Sequence, residues 1–180
     1  MSNSVELETS EDEARPSDPI GRVLTLMAKV LALFGGLVLL VIVGINFLSI
    51  LGRSLFSAPL LGDFELVELG CAVAVSSFLP WCQLKRGNVI VDFVTSGLSD
   101  RWRQVLDSFS AIVFGLVAAF FTWRMFYGAQ DMYTYNEETM LLQFPVWIPF
   151  IPVVFSFLLL SLCSFYTAYV SASQAAAADA

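Results

Sequence analysis

Residues 30–52 carry no charged side chain, and Lys29 and Arg53 close the run at its two ends. Coiled as an α-helix, these residues reach about 35 Å, enough to cross a hydrocarbon layer roughly 30 Å thick. A soluble helix of that length needs a polar face for water, and this one has none. Three further segments repeat the pattern. Residues 64–84 open with Glu65 and Glu68 and end against Lys85 and Arg86. Residues 105–126 have an uncharged centre at 108–123, and residues 139–178 contain no charge at all. The first span extends back to 23–52, and the fourth is placed at 148–170. With 57% of the chain apolar and 14% charged, against about 45–50% and about 25% in soluble domains, the class is settled. The chain reads as all-α, an integral membrane four-transmembrane-helix bundle over residues 21–171.

The remaining segments are assigned by what each can bury. Residues 1–20 set Glu6, Glu8, Glu11, Asp12, Glu13 and Asp18 against Arg15, with almost no large apolar side chain. They read as a disordered acidic tail, and the leading negative charge excludes a secretory signal. Residues 172–180 form a second short tail. Between spans two and three, residues 86–104 include Val89, Ile90, Val91, Phe93, Val94 and Leu98. That is too apolar for a solvated loop and too short to cross, so a short interfacial helix is predicted there. Ser99 and Asp100 then start the third span as N-cap and first-turn acid. Pro145, Pro149 and Pro152 predict a broken or late-starting fourth helix with Trp147 at the interface. Lysine and arginine set the orientation. Arg15, Arg22, Lys29, Lys85, Arg86, Arg101 and Arg103 fall on one side, and only Arg53 and Arg124 on the other. Both termini are therefore expected in the cytoplasm.

The residue inventory excludes several chemistries. Histidine is absent, which rules out a bis-histidine haem and histidine-bound zinc. Cys71 and Cys82 lie about 16 Å apart along one predicted helix, beyond disulfide reach. With Cys163 they read as small apolar packing residues, and no metal or cofactor is expected. No span places an ionisable side chain near its middle, where transporters working alone hold their cargo. Small residues recur every four positions at Ala111, Gly115 and Ala119, at Ala32 and Gly36, and at Gly70 and Ala74. That spacing suits close helix packing, inside the bundle or against a partner. Glu65 and Glu68 share a helix face near the start of span two, a short hairpin away from Arg53. Two readings stay open: a partly buried Arg–Glu pair, or charges held separately by helix dipoles and water. Asp131, Glu137 and Glu138 form either a solvated loop or an acidic docking surface for a soluble partner.

The order of short motifs carries a family resemblance. Arg53, Gly62 and Glu65 are followed, after span two, by Arg86-Gly87-Asn88-Val89-Ile90-Val91-Asp92. Later come Asn136-Glu137-Glu138-Thr139 and Phe144-Pro145-Val146-Trp147 ahead of the last span. This series, over roughly residues 23–170, resembles the small permease subunit of tripartite ATP-independent periplasmic (TRAP) transporters. Asn88 stands where that family usually has histidine. The resemblance implies a chain of the bacterial inner membrane that binds a large permease subunit holding the substrate and sodium sites. It also implies a periplasmic binding protein that delivers an organic acid for sodium-coupled uptake. By position it singles out Arg53, Glu65, Gly87, Asn88 and Asp92, with Glu68 beside them, as structural or subunit-interface residues. The lipid bilayer is the other partner, and no nucleic acid is expected. A haem-free membrane anchor of a redox complex is the alternative class. A small membrane enzyme lacks any nameable nucleophile, metal site or acid–base pair in a cleft.

Overall fold

The computed structural model describes residues 19–56, 62–85 and 100–177. They form four helices, α1 (Pro19–Phe56), α2 (Asp63–Leu84), α3 (Asp100–Thr134) and α4 (Trp147–Ala177). Each is long and apolar enough to cross a membrane. Among the described residues the only strand-like pairing is an isolated bridge between Glu138 and Pro145. The four-span, all-helical bundle expected from the charge pattern is the fold.

Local chemistry sets the helix ends. Pro19 occupies the first helical position of α1, where its missing N–H leaves no bond unmade. α1 then runs unbroken through Gly35, Gly36 and Gly44, because a break in lipid would strand backbone groups without partners. α2 starts after Gly62, whose φ of 83° lies in the left-handed region that glycine adopts freely. Asp63 and Glu65 stand in its first turn, complementing the helix dipole. α3 ends in a Schellman motif: Glu137 N donates to Met132 O at 3.1 Å and Asn136 N to Tyr133 O at 3.3 Å. Asn136 supplies the left-handed residue that motif requires, with φ at 50°. α4 starts late, as its prolines predict, at Trp147 just beyond Pro145.

Two boundaries differ from the sequence reading. Residues 100–104, the end of the apolar segment 86–104, are the first turns of α3, which starts at Asp100, the first-turn acid expected there. The rest of that segment, residues 86–99 with Gly87, Asn88 and Asp92, lies outside the described residues, as do residues 1–18, 57–61 and 178–180. α3 also continues past residue 126 to Thr134, and α4 past 170 to Ala177. Hydropathy marks where lipid ends, whereas a helix continues until a residue such as Asn136 caps it.

α4 is the hub of the packing. It lies along α3 and against α2, α1 packs on α2, and α1 touches α4 more lightly. One core cluster joins Leu24, Ala28 and Leu31 of α1 to Leu159 and Cys163 of α4, with Trp81 and Leu84 of α2 against it. Close approaches occur where side chains are smallest. At Gly115 a Cβ would stand 3.3 Å from Phe165 and Ser164, and Ser161 Oγ donates to Gly115 O at 3.1 Å. Ala118 is buried against α4 whereas Ala119 is exposed. A spacing of four drifts about 40° per step around a 3.6-residue helix, so two steps from Ala111 leave the contact face. On α1 the tight position is Gly35, not Gly36. A Cβ at Gly35 would meet Ser77 Cβ at 2.9 Å and Ala74 O at 3.0 Å, while nothing lies within 4 Å of one at Gly36. Gly70 and Ala74 do face α1, with Ile42 filling the space over Gly70.

Gly35→Leu is therefore expected to destabilise the bundle by roughly 1–3 kcal/mol through overpacking. Gly36→Leu should be close to neutral, and denaturant unfolding of both variants in mixed micelles makes the comparison.

Candidate functional site: a hairpin clasped to the second helix

The connection from α3 to α4 is built as a hairpin. Its legs are joined where Val146 N donates to Glu137 O at 3.0 Å and Thr139 N to Phe144 O at 3.0 Å. Phe144 N returns a bond to Thr139 Oγ1 at 3.1 Å. Gln143 N closes the tip on Thr139 O at 3.1 Å, with Gln143 at a φ of 50°. At the base, Tyr133 and Trp147 meet edge to face, ring centroids 5.5 Å apart. The stretches Asn136–Thr139 and Phe144–Trp147, quoted above for their resemblance, are the two legs of this one hairpin.

The start of α2 holds the tip. Glu65 accepts the Leu141 N–H on Oε1 at 2.8 Å and the Leu142 N–H on Oε2 at 3.1 Å. Hydrogen bonds to a charged acceptor are roughly twice as strong as neutral ones, and two in parallel also fix direction. Leu142 lies directly over Gly62, where a Cβ would come within 2.5 Å of Leu142 Cγ. Gly62 thus serves both the left-handed turn and the seat for Leu142. Asp63 faces the other way. Its Oδ2 accepts from Ser49 Oγ of α1 at 2.5 Å, and its Oδ1 caps the Phe64 N–H at 2.8 Å. Gly62, Asp63 and Glu65, at and just before the start of α2, therefore tie together α1, α2 and the hairpin.

Among the residues singled out from sequence, Glu65 is the one engaged in this clasp. Arg53 stands exposed in the last turn of α1, where the dipole favours a cation, and Glu68 is exposed on α2. Among the described residues no ion pair joins Arg53 to either glutamate, and both Glu65 oxygens are occupied by the hairpin. Asp63, Ser49 and the Leu141–Leu142 tip were not found by sequence reasoning, and Thr139 was marked only as part of a motif. Asp63 beside Gly62 at a helix start was a usable signal, but nothing local announced that a turn 76 residues away would bond Glu65.

A cleft of about 400 Å³ opens between α1, α2 and the start of α4, with Val38, Ile42, Leu66, Gly70 and Ile148 among its walls. Only apolar residues line it. Buried hydroxyls are spent on helix carbonyls: Ser77 on Val73 at 2.7 Å, Ser156 on Pro152 at 2.7 Å, Ser164 on Leu160 at 2.8 Å. These groups hold helices, not a hydrophilic solute. Among the described residues no group of three acids or thiols is placed to bind a metal.

Four apolar spans with exposed apolar outer surfaces define a multi-pass membrane protein of the helical-bundle class. A family model described as tripartite ATP-independent periplasmic transporters, DctQ component, matches residues 42–174. The chain belongs to that family, the small permease component of TRAP transporters. No curated protein and no solved structure gives a match.

Glu65→Ala should release the hairpin tip, seen as faster hydrogen exchange at the Leu141 and Leu142 amides with α4 core amides unchanged. Glu65→Gln, which keeps a carboxamide oxygen, should fall between the two.

Proposed function

We infer that this chain is the small, non-transporting membrane subunit of a TRAP-type secondary transporter. It scaffolds a large permease subunit that carries the substrate and sodium sites, and it helps dock a periplasmic binding protein during sodium-coupled uptake of an organic acid. It sits in the bacterial inner membrane with both termini in the cytoplasm, an orientation supported by the lysine and arginine asymmetry. The hairpin end of the bundle then faces the periplasm. It acts as a structural component and not as an enzyme.

The observation that carries this reading is the wholly apolar cleft beside spans with no charge at depth. A hydrophilic acid and its sodium ion need polar ligands inside the membrane, so those ligands belong to another chain. Family membership supports the same division of labour and offers nothing to the alternative of a redox-complex anchor. Arg53, Glu68, Gly87, Asn88 and Asp92 are proposed as subunit-interface or structural positions, with Glu65 as the residue that sets the hairpin.

In mild detergent the chain should co-purify with a large membrane subunit, and alone in proteoliposomes it should take up no organic acid. Solo uptake would overturn the assignment. Arg53→Glu should weaken assembly or uptake. If the assembled complex carrying that reversal transports at the normal rate, Arg53 has no interface role.

A further inference from the structure

The hairpin displays exposed apolar side chains at the end of the bundle where α2 opens with charged residues. Met140 at its tip is 96% exposed, Tyr135 is 74% exposed and Leu141 is 63% exposed. Arg124 of α3 is flanked by Trp123 and Tyr127, and cation and aromatics together mark the membrane–water boundary. α3 runs ten residues beyond Arg124, to Thr134, a rise of about 15 Å, before the hairpin begins. The tip comes back to the level of Glu65, among the charges that open α2. These charges and aromatics put the hairpin at the polar end of the bundle.

Its frame is also fixed beforehand, by the leg-to-leg bonds, the Glu65 clasp and the Leu142 seat. A surface held in one shape avoids part of the ordering cost of association, and apolar groups on it gain by being covered. Among the described exposed charges at this end of the bundle, the acids Asp131, Glu137, Glu138 and Glu68 outnumber the cations Arg53 and Arg124. We propose that the α3–α4 hairpin is a preformed docking site for a soluble protein, with Met140 and Leu141 as its anchors and Glu65 as the positioning residue that aims them. The matching surface is an apolar hollow rimmed by lysine or arginine. The inference rests on the subunit reading above, in which the occupant is the periplasmic binding protein.

The test uses the full complex in nanodiscs, with the purified binding protein of the same transport system as probe. Met140→Ser with Leu141→Ser should weaken its binding roughly tenfold or more, the size of a lost hot spot, while the large subunit still co-purifies. Glu65→Ala should weaken it as well, and Glu65→Gln, which keeps an acceptor oxygen for the tip amides, should weaken it less. Wild-type affinity in the double serine variant overturns the docking site and leaves the subunit reading standing. If the wild-type complex fails to bind the probe at all, the subunit reading fails and the docking site with it. A fluorophore at Met140→Cys separates water from lipid. Quenching by spin-labelled lipid would make the tip a membrane anchor and overturn the proposal, whereas an unquenched probe that the binding protein shields supports it.

Discussion

A peptide group in hydrocarbon has no water to bond to, and most of this architecture follows from that shortage. α1 stays helical across Gly35, Gly36 and Gly44, which in water would each cost a helix about 1 kcal/mol relative to alanine. Ser76, Ser77, Ser156 and Ser164 donate to carbonyls of their own helix, and Ser161 and the half-buried Ser108 to a carbonyl of the facing one. With polar needs met locally, the helices associate by fit. Contact then depends on where small residues let backbones approach: Gly115 under Phe165, Gly70 under Ile42, Gly35 against Ser77.

That mode of packing explains the uneven distribution of contact. α4 gathers α3, α2 and a part of α1, while α3 leans chiefly on α4. Much of α1 and α3 consequently presents Leu33, Leu40, Phe109, Leu116 and Phe120 to the surroundings. Lipid covers such faces at little cost, and a second membrane chain would cover them equally well. The two helical hairpins, α1–α2 and α3–α4, are joined through α2 on α4 and again at one end by the Glu65 clasp. The second junction is polar and lies at the charged rim, so it tolerates water where the packed interior does not.

Legibility divided along the same line. Arg53, Glu65 and Glu68 were marked by helix dipoles and spacing, and Glu65 accepts two N–H groups of the hairpin at the start of α2. Neither of the two readings left open, an Arg–Glu pair or charges held separately, anticipated its partners, because charge complementarity is the only pairing rule that sequence displays. Backbone N–H groups of Leu141 and Leu142 are equally good partners for a carboxylate, yet every residue carries one, so no residue type advertises it. The small-residue stripes had the same limit. Spacing identified Gly115 and Gly70, but it chose Gly36 over Gly35 and Ala119 over Ala118, since the face that meets a neighbour is settled by the neighbour.

Sequence by itself determined the number of spans, their helical state, the late start of the fourth and the lack of an interior charge. Each of these is a local property, decided by whether a run of side chains and its backbone can be satisfied within the helix. Tertiary structure alone decided which helix is the hub, that the α3–α4 connection folds into a hairpin, and that Glu65 grips its tip. Those outcomes depend on the meeting of groups far apart in the chain, at distances that no residue's identity encodes.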